Sequence, residues 1–171
     1  RLPAGSPPAV QAFVSRRRPE IVAHADDCEQ AHLAIGFRIF GRHDRRRYAL
    51  RLLNLVLGEN MSSRLFQELR ERRGLCYHVQ SGSQLFRETG SLGVQCALDP
   101  SHCARAVRLV LLECGRLART RVGPAELRRA REAAVGQAQL GLESPGSRMN
   151  WLAESWLAHG RIVDPVRVEQ R

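Results

Sequence analysis

The sequence predicts an α+β fold, in which a single domain has a mostly antiparallel sheet with helices packed on one face. Apolar residues alternate as in strands in residues 29–40, 77–86 and 91–98. After residue 100 the apolar spacing becomes helical and stays so to the chain end. One pair of helices separates the first strand from the other two. Strands that come early and helices that come late favour α+β over an alternating parallel fold.

The composition is that of an ordinary globular domain. The chain has 171 residues, of which 43% are apolar and 26% are charged, which is enough to bury a core. No apolar run approaches the ~20 residues that cross a membrane, so no membrane partner is predicted. The N-terminus has neither an initiator methionine nor the apolar segment of a signal peptide. We therefore expect a piece excised from a longer protein.

The charge of the chain raises the question of nucleic-acid binding. The net charge is +10 and all 27 basic residues are arginines, with clusters at residues 16–18, 45–47 and 128–131. A nucleic-acid module usually adds aromatic platforms or a recognisable motif, and aromatic residues are 5% of this chain. Solvated helix faces explain the clusters better. Nucleic-acid binding is therefore the least favoured of three functional hypotheses.

The cysteines indicate a reducing environment. Their number is five, which is odd, and none of them form a C-x-x-C pair. This pattern argues against a disulfide framework and against a thiolate zinc site. Several free thiols favour a reducing compartment, so we expect a cytoplasmic location.

The chain divides into a lead-in and one domain. Residues 1–20 hold four prolines and are predicted to be a linker or lead-in segment. Residues 21–171 form the domain, which is truncated at the C-terminus, where Asp164 and Pro165 would open a further helix. Residues 21–27 are predicted to be a short strand. Residues 29–40 are predicted to be a strand covered on both faces, because both of its sides carry apolar residues.

The helix pair and the next two strands follow from caps and periodicity. Asp44 is expected to cap a helix over residues 45–57, followed by a loop from Gly58 to Met61. Ser62 or Ser63 can cap a second short helix, which Gly74 can end in the left-handed conformation. Residues of three elements are expected to share buried or common faces: Ala49, Leu52, Leu53 and Val56; Tyr77, Val79, Ser81, Ser83 and Leu85; Leu92, Val94, Cys96 and Leu98. Alternation would place His78 on the face opposite Tyr77.

Proline marks the start of the later helices. Helices are predicted over residues 101–119, from Pro124 to about residue 142, and from Pro145 to Gly160. The first and last of these are expected to bury one side each, formed by Ala104, Val107, Leu111, Cys114 and Ala118, and by Met149, Leu152, Ala153 and Trp156.

An ordered set of short sequences resembles one enzyme family. Residues 61–66 read Met-Ser-Ser-Arg-Leu-Phe, followed by Leu-Arg at residues 69–70 and Leu-Cys-Tyr at residues 75–77. Residues 29–37, which read Glu-Gln-Ala-His-Leu-Ala-Ile-Gly-Phe, stand before them in the matching order. Together they resemble the second-half, non-zinc domain of the pitrilysin/insulinase zinc peptidases, the inverzincins, which include mitochondrial processing peptidases. The resemblance covers roughly residues 28 to 165.

The resemblance implies a catalytic pair and a peptide-binding loop. In this family the second half supplies an arginine and, seven residues later, a tyrosine, which correspond here to Arg70 and Tyr77. The loop before them would line the substrate through Gly58, Glu59, Asn60, Met61 and Ser62. The family usually has two or three glycines there. Glu59 therefore changes the substrate preference, marks a loop no longer used, or belongs to a plain connection between helices. Ser62 and Ser63 fit caps better than nucleophiles.

Zinc is expected only in another half of the enzyme. The family's first half carries a His-x-x-Glu-His helix that binds zinc and activates water. None of the six histidines of this chain has a second histidine four residues later with a glutamate before it. We therefore expect this chain to bind no metal and to be inactive alone.

Three functions follow from these observations. The leading hypothesis is the C-terminal domain of a zinc endopeptidase, one chamber wall that closes over an extended peptide together with a zinc-bearing half. That half would lie in the same polypeptide or in a separate subunit, and a dimer is compatible with either arrangement. The alternative is a non-catalytic structural or interaction subunit of the same fold. The third is the nucleic-acid module.

Overall fold

The computed structural model describes residues 18–27 and 29–163. The predicted α+β class is confirmed. The elements are β1 (Ala31–Phe40), α1 (Arg47–Asn54), a first π-helical segment (Leu55–Glu59), a second π-helical segment (Phe66–Glu71), β2 (Cys76–Leu85), β3 (Thr89–Leu98), a 3₁₀ turn (Pro100–His102), α2 (Cys103–Arg119), α3 (Pro124–Gly141) and α4 (Pro145–His159). Residues 1–17, within the predicted lead-in, and the helix expected at Asp164 lie outside the described residues.

The sheet has three antiparallel strands in the order β1-β3-β2. One face of the sheet carries the core. Residues Leu33, Ile35, Phe37 and Ile39 of β1 and Leu92, Val94, Cys96 and Leu98 of β3 face the helices there. In the described chain, the opposite face of β1 is exposed at His32, Ala34, Gly36 and Arg38. The expectation that β1 is covered on both faces is therefore wrong, because the helices pack on one side only.

The core joins the sheet to the two π-helical segments and α2. Leu57, Leu65, Leu69, Leu98 and Val110 are almost completely shielded from solvent and belong to one cluster. Burying a leucine side chain contributes roughly 2 kcal/mol. Leu69 belongs to the segment that carries Arg70 and Leu65 directly precedes it, so the core fixes that segment against β2 and β3.

The first helix begins and ends two residues later than predicted. It continues from Asn54 into the first π-helical segment, which ends only at Glu59. Gly58 and Glu59 are therefore helical, and the predicted loop start at Gly58 is wrong. Ala49, expected in the core, is exposed, whereas Leu50 and Asn54 are buried. The other three residues of the predicted face, Leu52, Leu53 and Val56, are in or against the core as expected.

Residues 21–27 do not form the short strand that was predicted. Residues 21–26 have no regular structure, and Ile21 and Val22 are exposed. A strand is stabilised only by a hydrogen-bonded neighbour, and within the described residues β1 pairs with β3 alone. The apolar residues of this segment are too few to decide its structure.

Two later helices turn different sides to the core than predicted. Helix α2 buries Ala106, Val110 and Glu113, while Leu111 is half exposed. Helix α4 buries Ser155 and rests partly on Trp151, whose Nε1 donates to the Val163 carbonyl over 3.1 Å. Its predicted apolar side is exposed in the described chain at Met149, Leu152, Ala153 and Trp156. The helix limits are close to the prediction, including the left-handed Gly160 stop.

Candidate functional site

Tyr77 is placed by a β-bulge at the start of β2. Cys76 pairs with Leu98 and His78 pairs with Ala97, so Tyr77 is the extra residue that has no partner in the register. Cys76 remains buried, whereas Tyr77 is 65% exposed. The bulge also exposes His78, so the expected alternation of Tyr77 and His78 is wrong. Bulges re-aim side chains in this way, and strict period-two reading fails across them.

Arg70 lies in the last turn of the second π-helical segment. Its guanidinium carbon is 5.0 Å from the centre of the Phe66 ring, a cation–π geometry. The segment ends at Glu71, and the turn that follows it contains Gly74, whose φ of 57° is the left-handed conformation that was predicted. The Gly74 N–H donates to the Arg70 carbonyl over 3.0 Å, and the Leu75 N–H donates to the Leu69 carbonyl over 2.8 Å. This tight turn brings the start of β2 back towards Arg70.

The charge of Arg70 acts on a residue at the start of β2. Burial raises the pKa of the Cys76 thiol, and the positive charge of Arg70 acts against this increase. Cys76 directly precedes Tyr77. Arg70 and Tyr77 thus stand on the two sides of the turn at Gly74, and both side chains are exposed.

The predicted peptide-binding loop is shorter than expected and is organised by Asn60. The Asn60 Oδ1 accepts hydrogen bonds from the Ser62 N–H over 3.0 Å and from the Ser62 Oγ over 2.8 Å. The Ser63 Oγ donates to the Asn60 carbonyl, so neither serine forms the predicted cap. Asparagine side chains readily bond to the backbone two residues later. Asn60 therefore organises this turn in place of the serines that were expected to cap the helix.

The five residues of the predicted loop have different environments. Met61 is 74% exposed, and Ser62 is exposed beside it. Gly58 is buried, and a Cβ atom there would lie 2.8 Å from the Ser81 Oγ. The Glu59 carboxylate accepts a hydrogen bond from Asn54 Nδ2 over 2.6 Å and another from Arg51. Residues 60–63, called here the 60–63 loop, form the turn after the first π-helical segment, with Met61 and Ser62 exposed and Ser63 buried.

A charged cleft of about 530 Å³ has Ser62 among the residues that line it. In it, Arg64 binds Glu126 with two parallel hydrogen bonds of 2.8 and 2.7 Å. These hydrogen bonds lower the pKa of the Glu126 carboxyl. Glu113 on α2, almost completely buried, accepts from Arg116 in the same cleft. Sequence reasoning missed this cleft and the residues Asn54, Ser81 and Glu126, because no local pattern relates residues so far apart in the chain.

The described residues contain neither a metal-binding cluster nor a membrane-spanning helix. Across residues 18–27 and 29–163, no three or more His, Cys, Asp and Glu side chains are grouped so that they could hold a metal ion. Over the same residues, none of the helices combines the length and apolar character of a membrane span.

Relatives of the chain are zinc proteases. A family model described as the peptidase M16 inactive domain matches residues 2–134. An uncharacterised zinc protease of Mycobacterium tuberculosis (strain ATCC 25618 / H37Rv) is 39% identical over 143 residues, which cover 84% of this chain and 33% of the relative. The uncharacterised zinc protease YmxG of Bacillus subtilis (strain 168) is 32% identical over 142 residues, covering 83% of this chain and 35% of the relative. The chain spans about a third of the length of these curated relatives.

Solved structures share the fold. A protease from Helicobacter pylori matches with a TM-score of 0.74 and 18% identity, covering 86% of this chain and 36% of that chain. A chain of complex III2 from Candida albicans matches with a TM-score of 0.75 and 17% identity, covering 85% of this chain and 37% of that chain. At such identities the likeness concerns the fold alone. Since the family model covers most of the sequence, the predicted resemblance is confirmed, and the chain belongs to the peptidase M16 family as its inactive domain.

Proposed function

We propose that this chain forms one wall of a peptidase chamber, opposite a zinc-bearing half that lies in the same polypeptide or in a partner subunit. The observation that carries the proposal is Tyr77. A bulge at the start of β2 leaves this residue 65% exposed, and Arg70, which precedes the turn at Gly74, is exposed too. An exposed tyrosine and arginine at one tight turn suit contact with a peptide. We propose that zinc is held by the other half, which fits the zinc proteases among the relatives of this chain.

The two side chains offer complementary interactions to an extended peptide. A phenol hydroxyl can donate a hydrogen bond to the oxyanion that develops on the scissile carbonyl. The Arg70 guanidinium can donate two hydrogen bonds to neighbouring peptide carbonyls and adds positive potential. Its stacking on Phe66 limits the positions it can occupy, which lowers the entropy lost on binding.

The 60–63 loop is proposed to contact the same peptide. Met61 and Ser62 are exposed and can reach a ligand directly. Asn60 shapes the turn through its bonds to Ser62. Gly58 and Glu59 face the interior, and we assign them a supporting part in binding: Gly58 allows the close approach of β2, and Glu59 holds the end of the helix.

The experiment that tests the proposal is peptide cleavage by the full protein, or by this chain with its zinc-bearing half. Wild type is compared with Tyr77→Phe at equal zinc content. We expect the variant to lose about 100-fold or more in kcat, as is typical when one oxyanion donor is removed. Equal kcat in both would refute the role of Tyr77.

A non-catalytic subunit of the same fold is the second candidate. One observation favours it: α4 presents the exposed apolar residues Met149, Leu152 and Trp156, which suit packing against another surface. One solved structure with the same fold is a chain of a complex, complex III2, which agrees with this candidate. An intact complex that binds zinc in its other half but cleaves no peptide would support this candidate over the first.

We also propose a cytoplasmic location. The free cysteines among the described residues are Cys76, Cys96, Cys103 and Cys114, which supports a reducing compartment. Cell fractionation with an antibody against the chain tests the location, and recovery from an oxidising compartment would contradict it.

A further inference from the structure

A chain of hydrogen bonds runs from β2 to Glu59 at the start of the 60–63 loop. The Ser81 Oγ donates to Asn54 Oδ1 over 2.7 Å, and Asn54 Nδ2 donates to Glu59 Oε2 over 2.6 Å. Ser81 and Asn54 are almost completely buried, and the Glu59 side chain is 18% exposed. Hydrogen bonds in such surroundings are strong, and breaking one leaves a costly unpaired group. The Glu59 carboxylate is thus engaged inside the domain.

The same carboxylate is linked to α3. Arg51 donates through one terminal nitrogen to Glu59 and through the other to the side-chain oxygen of Gln137. The planar guanidinium holds both acceptors in one fixed geometry. Glu59 is therefore tied to α1 and β2 through Asn54, and to α3 through Arg51.

A second connection ties the other end of the loop to α3. Arg64 binds Glu126 through two hydrogen bonds, and the two side chains are 22% and 26% exposed. Glu126 lies in the first turn of α3, where the helix dipole favours a carboxylate. A bidentate ion pair that is partly shielded from solvent holds its two side chains in one relative orientation.

The two connections meet α3 at separate points. Glu126 and Gln137 are eleven residues apart in the sequence, which is about 16 Å along a helix. The 60–63 loop is thus held at both ends against one rigid element. Through Ser81 the same network reaches β2, the strand that carries Tyr77 four residues earlier.

We propose that Glu59 and Arg64 are positioning residues that hold Met61 and Ser62 in a fixed place relative to Tyr77. This inference rests on the proposed function of the site. In this proposal Glu59 does not contact the peptide. It holds the loop from the interior of the domain, and the peptide contacts Met61 and Ser62. Because α3 anchors both ends, the loop is a preformed rim, and an extended peptide binds it without an ordering cost.

The test uses the full protein, or this chain with its zinc-bearing half, at a temperature well below the melting point of every variant. The probe is a fluorescein-labelled extended peptide with a reduced scissile amide, which binds and is not cleaved. We compare Glu59→Gln with Glu132→Gln, a matched control on the exposed side of α3. Glu59→Gln is expected to raise the Kd of the probe about tenfold, and Glu132→Gln to leave it unchanged.

A charge reversal separates positioning from simple loss of a group. Arg64→Glu and Glu126→Arg should each raise the KM for a cleavable peptide about tenfold, with a smaller change in kcat. The double variant Arg64→Glu/Glu126→Arg rebuilds the pair with the charges exchanged and should recover most of the affinity. Recovery supports positioning, and a double variant as weak as the singles contradicts it.

The outcomes distinguish this inference from the proposed function. If Tyr77→Phe lowers kcat but Glu59→Gln binds the probe like Glu132→Gln, only the positioning inference fails. If Tyr77→Phe leaves kcat unchanged, or wild type does not bind the probe, the proposed function fails and the inference falls with it.

Discussion

Cys76 and Tyr77 are adjacent in sequence and face opposite environments, the thiol in the core at 6% exposure and the phenol in solvent at 65% exposure. Regular pleating alone would produce this difference, but here the next residue, His78, is also exposed. The bulge thus keeps the core face of β2 intact while presenting Tyr77. A residue so exposed contributes little to folding, and its neighbour contributes much.

This contrast predicts that two conservative substitutions change stability by different amounts. Tyr77→Phe should change the free energy of unfolding by less than about 0.5 kcal/mol, as surface substitutions usually do. Cys76→Ser should lower it by about 1–3 kcal/mol, because a hydroxyl would be buried among apolar residues. Urea unfolding followed by circular dichroism measures both. Equal destabilisation would mean that Tyr77 is packed into the structure.

Arg70 should matter for binding and little for folding. Arg70→Gln removes the charge and the fork of donors, and we expect KM for an extended peptide to rise about 10- to 100-fold. The unfolding free energy should change by no more than about 1 kcal/mol, the contribution of an exposed cation–π contact to Phe66. Arg87→Gln, an exposed arginine at the turn between β2 and β3, is the control. A rise in KM shared by both variants would indicate a general charge effect.

Gly58 should be intolerant of a side chain. Gly58→Ala places a Cβ 2.8 Å from the Ser81 Oγ and 2.9 Å from its Cβ. Overpacking of this kind costs about 1–3 kcal/mol, more than the roughly 1 kcal/mol that alanine gains in a helix. Gly82→Ala is the matched control, since nothing lies within 4 Å of that position. Chemical denaturation should show a clear loss for the first variant and none for the second.

The docking of α4 should weaken in acid through His159. This ring packs edge-on against His43, with ring centres 5.5 Å apart. Burial, Arg47 and His43, with smaller effects of Arg161 and Arg42, lower the pKa of His159 below its ordinary value of 6.5. Below that value the unfolded chain takes up a proton that the folded chain resists, so stability present at higher pH is lost as the pH falls.

Urea unfolding at a series of pH values checks this prediction. Wild type should lose stability between neutral and mildly acidic pH more steeply than His159→Gln, which has no proton to take up there. His24→Gln, an exposed histidine before the sheet, should behave as wild type. Parallel pH profiles for wild type and His159→Gln would contradict the role of His159.

Local patterns in the sequence predicted the parts of the fold that depend on neighbouring residues. The alternation of Leu33, Ile35 and Phe37 gives β1, and Gly74 and Gly160 have the positive φ predicted for the turns after their helices. Each of these features is decided within a few residues. The α+β class follows from their order along the chain.

Features that depend on distant residues could not be predicted in this way. The bulge at Tyr77 reflects the register of β2 against β3, and the orientation of Glu59 depends on Asn54 and Arg51. A carboxylate in a loop-like sequence suggests contact with solvent or a ligand. Only the folded structure reveals donors within reach.

Both tryptophans of the chain, Trp151 and Trp156, lie on α4. Trp151 is partly buried, and Trp156 is 61% exposed on the apolar side of the helix. Any surface that covers this side would shift the emission of Trp156 to shorter wavelengths, whereas the emission of Trp151 would change little. The chain therefore contains its own optical probe of assembly, and association can be followed by fluorescence while peptide turnover is measured independently in the same sample.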